Sequence, residues 1–204
     1  DMAARGSQET QPKSFRDEER RGLKGDLTMI PLSGPTIGKE EKANVMEVLE
    51  STMLTNKEGR GKFCRLFEQK VAQLTNAKHV YAVTSGTAAL HASLMALGVG
   101  HGDEVILPSM TFVATAEVVL HVGAKPVFVD INPETYTMDP EDMKRLFTRK
   151  TRAVIPVDLY GLPADLDEIS EIAHEHGVRV VEDAAQSVGA EYKGRIIGCI
   201  SDLT

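Results

Sequence analysis

Apolar residues follow two alternating patterns along most of the chain. Helical spacing predicts helices over 38–51, 111–122, 140–148 and 165–176, and one that follows residues 84–87 and runs to about 97. The same spacing places a further apolar set on one helical face: Phe63, Leu66, Phe67, Val71 and Leu74. Short continuous apolar runs predict strands over 79–83, 104–108, 126–131, 153–159 and 178–182, and the segment 191–197 is typical of a hairpin. Runs that are apolar at every position are typical of a parallel sheet covered by helices on both faces. The pattern therefore predicts a layered α/β domain.

The first 28 residues do not share this pattern. They are polar and charged without periodicity, which predicts a disordered arm or a cloning remnant. The predicted domain organisation is therefore an arm over 1–28 and a single domain over 29–204.

Composition narrows the class of function. The chain has 204 residues, of which 42% are hydrophobic and 26% are charged, with a net charge of −7. No basic stripe alternates with aromatic residues, so we do not expect a nucleic-acid partner. No apolar run approaches the roughly 20 residues that span a bilayer. Cys64 and Cys199 match no metal or redox spacing, and we expect a cytoplasmic protein without a metal site.

Four motifs follow predicted strands, where α/β sheets bind ligands. Ser85, Gly86, Thr87 and Ala88 open a helix, which favours either a phosphate site made of free N–H groups or an ordinary helix cap. Phe112 begins the next helix and could lie flat against a planar heterocycle or belong to the core.

The motif VEDAAQS ends the last predicted strand and contains Asp183 and Gln186. A carboxylate at this edge can pair with the protonated ring nitrogen of pyridoxal phosphate, and Gln186 could donate to the ring oxygen. Asp183 could instead be a solvated acid at the end of the strand. Asp158 and Tyr160 meet a Gly/Pro turn at another strand end, where a tight turn is the alternative explanation.

Taken in order, these motifs resemble one enzyme family. The runs IPLSGPTIGKEE, LTNKEGRGKFCRLFEQKVA, VTSGTAALHASLMALGVGHGDEVILPSMTFVATAEVVLHVGAKPVFVDI, PVDLYGLPADLDEI and VVEDAAQSVGAEYKGR are similar to the DegT/DnrJ/EryC1/StrS sugar aminotransferases over about 30–204. The resemblance implies fold type I: a three-layer, aspartate-aminotransferase-like large domain with a mostly parallel sheet and helices on both faces, without the smaller C-terminal domain. It also implies a homodimer that transfers an amino group, usually from glutamate, to a nucleotide-linked keto-sugar.

The resemblance also implies roles for single residues. Gly86 and Thr87, with Ser85 and the Ala88 amide, would hold the phosphate of pyridoxal phosphate. Phe112 would stack on its ring, Asp183 would pair with the ring nitrogen, and Gln186 would contact the ring oxygen. The residues Thr55, Asn56, Arg60, Asp158 and Tyr160 are weaker candidates for substrate contact.

The resemblance implies that the catalytic lysine, which forms a Schiff base with the cofactor, lies beyond Thr204. We therefore expect this segment to be the large-domain part of a longer enzyme and to be inactive alone. Two alternatives stay open: a pyridoxal-phosphate sugar dehydratase of the same family, and a chain that binds a ligand or partner without catalysis. A dinucleotide-binding dehydrogenase is disfavoured because the glycine fingerprint is missing.

Overall fold

The computed structural model describes residues 34–55 and 61–204. The predicted arm over 1–28, Asn56 and Arg60 lie outside these residues. The described chain divides between Thr52 and Met53 into two units, which are taken in turn below.

The first unit contains helix α1 (Lys39–Ser51), which confirms the helix predicted over 38–51. The Glu41 carboxylate accepts a hydrogen bond from the Gly38 N–H at 2.6 Å, so one free donor of the first turn has a partner. The helix ends at Thr52, which has a left-handed backbone (φ 56°). None of the helix's residues is buried within the chain.

The second unit alternates helices and strands. Its helices are α2 (Lys62–Thr75), α3 (Gly86–Ala96), α4 (Val113–His121), α5 (Pro140–Lys144) and α6 (Leu166–Glu175), with a 3₁₀ turn over Leu159–Gly161. Its strands are β1 (Glu104–Pro108), β2 (Lys125–Val129), β3 (Thr151–Val154) and β4 (Arg179–Val180), followed by a hairpin of β5 (Glu191–Tyr192) and β6 (Arg195–Ile196).

The four main strands form a parallel sheet in the order β2-β1-β3-β4. Pairing continues beyond β3 and β4 as single parallel bridges from Val157 to Asp183 and from Val181 to Leu203. The regular strands β3 and β4 are therefore shorter than the strands predicted over 153–159 and 178–182, and only single bridges extend the pairing beyond them. The continuous apolar runs correctly indicated a parallel sheet.

Helices cover both faces of this sheet. On one face, α3 and α4 supply Leu90, Leu94, Val118 and Val119, which pack against alternate residues of β1 and β3 and against Val181. On the other face, α5, α6 and the hairpin pack against Ile106, Val129, Val154 and Val180. Burial of each such aliphatic side chain stabilises the fold by about 1.5–3 kcal/mol. The predicted three-layer α/β architecture is confirmed.

The strand predicted over 79–83 is wrong for the described structure. Tyr81 is 81% exposed and Val83 49% exposed, and no described residue pairs with this segment as a strand. Its Ala82 N–H donates instead to a Glu68 carboxylate oxygen on α2 at 2.9 Å. A strand requires a ladder partner, and the apolar pattern alone does not show whether one is present.

Candidate active site

Four segments of the second unit meet at the carboxyl edge of the sheet. The loop after β4 is tied to the chain after β3, because the Asp183 N–H donates to the Pro156 carbonyl at 2.9 Å and the Asp158 N–H donates to the Asp183 carbonyl at 3.1 Å. A Cβ atom placed on Gly86 would lie 4.0 Å from the Ala185 side chain. The start of α3 therefore lies beside the loop that carries Asp183.

Asp183 is held by the start of α4. The buried Thr115 hydroxyl lies 2.8 Å from one Asp183 carboxylate oxygen and 2.8 Å from the Thr111 hydroxyl. The Ala185 N–H donates to the other carboxylate oxygen at 3.3 Å. The carboxyl group is half-buried, so it is fixed in orientation and still reaches the edge of the sheet.

The N-terminus of α3 presents free donors next to this acid. Ser85 is the N-cap residue, and its hydroxyl accepts the Ala88 N–H at 3.1 Å. In the part of the chain that the structure describes, no acceptor takes the Gly86 or Thr87 N–H. The helix start is therefore compatible with both predictions, a helix cap and an anion site. The cap accepts the Ala88 N–H, and the Gly86 and Thr87 N–H groups remain available to an anion.

Gln186 is also oriented by its surroundings. Its side-chain oxygen accepts the Tyr160 N–H at 2.8 Å, which leaves the side-chain NH₂ group free to donate elsewhere. Tyr160 has a left-handed backbone (φ 56°), and its side chain is 77% exposed. A tyrosine held in this conformation is strained, and such strain is often found at functional sites.

The other predicted residues differ in whether a ligand can reach their side chains. Phe112 is the N-cap residue of α4 and is 68% exposed, so its ring is available to a ligand and is not a core side chain. Asp158 is fully buried, and the structure gives it internal partners only. Thr55 is exposed.

One titratable residue beside the site was not singled out from the sequence. Glu182 is 1% exposed, and burial, reinforced by the neighbouring Asp158 carboxylate, raises its pKa to about 7. Burial likewise raises the pKa of Asp158. A charged residue that ends the apolar run VRVVE was the available signal for Glu182.

Thr115 was missed for a different reason. Its position four residues after Thr111 places both hydroxyls on one helical face, but only the tertiary structure shows that this face meets Asp183. Among residues 34–55 and 61–204, no group of acidic, histidine or cysteine side chains is arranged to hold a metal, and no helix is long and apolar enough to cross a membrane.

Residues 35–204 match the DegT/DnrJ/EryC1/StrS aminotransferase family. The chain is 41% identical over 177 residues to GDP-perosamine synthase of Caulobacter vibrioides, covering 87% of this chain and 47% of that protein. Spr1654 of Streptococcus pneumoniae in its PLP-form is 34% identical with a TM-score of 0.80, covering 85% of this chain and 47% of that one. DesI, solved in the presence of its TDP-sugar product, is 38% identical with a TM-score of 0.71, covering 79% and 40%. The chain spans less than half the length of each of these relatives.

The fold is that of the fold type I, pyridoxal-phosphate-dependent aminotransferases. Within that class, the chain belongs to the DegT/DnrJ/EryC1/StrS aminotransferase family. The residues at the carboxyl edge fit this cofactor, because they offer two amides that have no acceptor among the described residues for its phosphate, an exposed aromatic ring for its planar heterocycle and an oriented carboxylate for its ring nitrogen.

Proposed function

We propose that the complete protein containing this chain transfers an amino group from glutamate to a nucleotide-linked keto-sugar. The convergence of the Gly86 and Thr87 amides, the Phe112 ring and the Asp183 carboxylate at one edge of one sheet is the observation that carries this proposal. The similarity to GDP-perosamine synthase and to DesI, whose structure contains a TDP-sugar product, supports a nucleotide-linked sugar as the substrate.

Each residue at the edge has a distinct role in the proposed reaction. Pyridoxal phosphate supplies an electron sink when it is bound. Asp183 holds a proton at the ring nitrogen, and Thr115 keeps the carboxylate in the required orientation. The Gly86 and Thr87 amides bind the phosphate with the dipole of α3 behind them.

The remaining contacts orient the ring. Phe112 lies against its face and excludes water from it. The Gln186 NH₂ group donates to the ring oxygen, because the Tyr160 N–H already occupies the Gln186 carbonyl oxygen. A donor at that oxygen stabilises its negative charge.

The lysine that bonds to the cofactor is proposed to lie beyond Thr204. Lys193 is a poor alternative because it lies in the β5–β6 turn, where its ammonium group pairs with Asp167 at 3.1 Å and lies 4.8 Å from the centre of the Tyr192 ring. These contacts raise the pKa of Lys193, whereas a catalytic lysine needs a lowered one. A homodimeric assembly stays a prediction from the resemblance, and a cytoplasmic location stays a prediction from the composition.

The proposal is tested with the complete protein, pyridoxal phosphate, glutamate and GDP- or TDP-linked keto-sugars. We expect 2-oxoglutarate and an amino-sugar nucleotide in equal amounts, detected by mass spectrometry. Asp183→Asn is expected to abolish turnover, while Glu175→Gln, on an exposed part of α6, is expected to retain it. Loss of water from the sugar without use of glutamate would favour the dehydratase, and an unchanged sugar would contradict both enzymes.

A further inference from the structure

Two buried carboxyl groups lie side by side directly behind the candidate site. Asp158 and Glu182 follow β3 and β4, and they are 0% and 1% exposed. The parallel bridge between Val157 and Asp183 aligns the two chains here. Because side chains alternate along extended chain, Asp158 and Glu182 point to one face of the sheet while Asp183 points to the other.

Asp158 connects two loops. One of its carboxylate oxygens accepts the Ala164 N–H at 3.0 Å, and the other accepts the Ser187 hydroxyl at 2.8 Å. The first contact fixes the turn that contains Tyr160, and the second fixes the end of the loop that carries Asp183. With both oxygens occupied inside the protein, Asp158 has no oxygen directed at a bound substrate.

The bridge between Val157 and Asp183 places Glu182 and Asp158 on neighbouring chains and on the same buried face, and each carboxyl group shifts the pKa of the other. One Glu182 oxygen accepts the Thr204 hydroxyl at 3.1 Å; among the described residues, no N–H or hydroxyl lies within hydrogen-bonding distance of the other, although the nearby Ser201 hydroxyl acts to lower the pKa of this carboxyl. Two charged carboxylates in contact inside an apolar layer would repel one another, whereas a proton shared between them forms a hydrogen bond. Both Asp158 oxygens already accept hydrogen bonds, whereas one Glu182 oxygen has no donor in the described chain, so Glu182 is the carboxyl that carries the proton. Burial, which raises the pKa of Glu182 to about 7, agrees with this placement.

We propose that Glu182 donates its proton to Asp158 and that this buried pair positions the two loops on which Asp183, Gln186 and Tyr160 lie. Both are positioning residues that act through the loops and do not contact the cofactor. This inference rests on the proposed function, because only a cofactor site makes the placement of the loops matter for binding.

The other charged groups around the pair leave this assignment unchanged. Asp183 is the nearest further acid, and its negative charge raises the pKa of Asp158. On the segment 201–204 packed along β4, Asp202 is neutralised by contacts of 3.0 Å with His174 and 2.7 Å with Arg179.

The role in positioning is tested with two variants of similar volume in the complete protein. Glu182→Gln keeps an N–H that donates to Asp158, whereas Glu182→Leu removes this donor and leaves Asp158 with only the Ala164 N–H and the Ser187 hydroxyl as partners. At pH 6, the dissociation constant of pyridoxal phosphate from the Gln variant is expected to stay within about twofold of the wild type, and that from the Leu variant to rise about tenfold. Equal affinities of the Gln and Leu variants would overturn the positioning role.

The shared proton is tested without the cofactor, so that this result is independent of the proposed function. In urea unfolding of the apoprotein between pH 5 and 9, the wild-type midpoint is expected to fall towards higher pH and to level off above about pH 7, where the folded protein loses the proton. The Gln variant is expected to lack this fall. The comparison of wild type with the Gln variant tests the shared proton even if the Leu variant does not fold. Parallel profiles of wild type and Gln variant would overturn the shared proton. If wild type binds no pyridoxal phosphate yet shows the fall, the proposed function fails and the carboxyl pair stands.

Discussion

Replacement of Thr115 by valine tests the orientation of Asp183 most directly. Valine has nearly the same shape as threonine, but it replaces the buried hydroxyl, 2.8 Å from the Asp183 carboxylate, with a methyl group. The change also removes the partner of the Thr111 hydroxyl. It therefore removes hydrogen bonds without creating a cavity.

The expected magnitude follows from the surroundings of the two groups. A hydrogen bond to a charged group contributes about 1.5–3 kcal/mol to stability. Asp183 is half-buried, so water replaces part of the lost bond and the lower end of this range applies. A loss of about 1.4 kcal/mol in the orientation of the carboxylate weakens binding of pyridoxal phosphate about tenfold.

The assay is a titration of the complete apoprotein with pyridoxal phosphate, followed by the absorbance of the cofactor. Thr137→Val is the matched control, because the Thr137 hydroxyl is also buried and lies 2.9 Å from the Thr135 hydroxyl, away from the carboxyl edge. The control is expected to lose about 1 kcal/mol of stability and to keep wild-type affinity. An affinity of Thr115→Val equal to that of the control would refute a role of Thr115 in holding Asp183.

Three further changes test other parts of the structure. Phe112→Ala is expected to change the free energy of unfolding by less than about 0.5 kcal/mol, because the ring is 68% exposed, but to weaken cofactor binding about threefold to tenfold. Phe128→Ala is the control for binding, because Phe128 lies on β2 and is also exposed, at 54%. Leu94→Ala is expected to destabilise the fold by about 2–5 kcal/mol in guanidinium unfolding, because Leu94 is fully buried, whereas Met95→Ala, 63% exposed, is expected to have little effect. Because burial raises the pKa of Glu182 from its ordinary value of 4.5 to about 7, the stability that protonated Glu182 contributes is present below pH 4.5 and is lost as the pH rises through about 7, so calorimetry of the wild type between pH 5 and 8 is expected to show a falling melting temperature.

The sheet was predictable from the sequence because its strands are apolar at every position. Val105, Ile106 and Leu107 need cover on both faces, and the structure provides it with α3 and α4 on one side and α6 on the other. The segment 79–83 is similarly apolar but forms no strand, because a strand also needs an adjacent strand to pair with, and the segment's own sequence does not show whether one is present.

Part of the site was predictable because functional residues in parallel α/β sheets follow the carboxyl ends of the strands. Asp183 and Gln186 lie at the predicted edge, because parallel strands end together there. The contact from Thr115 to Asp183 joins residues 68 positions apart, and the pairing of Asp158 with Glu182 depends on strand register. Neither contact leaves a local signal in the sequence.

We propose that this chain provides the residues that hold the cofactor and that the lysine bonded to the cofactor lies beyond Thr204 in the complete protein. The most direct measurement is reduction of the complete protein with borohydride in the presence of pyridoxal phosphate, followed by intact-mass and peptide mass spectrometry. We expect one covalent cofactor adduct per chain, on a lysine outside residues 1–204, and the loss of this adduct in the Asp183→Asn variant. An unmodified protein, or an adduct on Lys193, would contradict it.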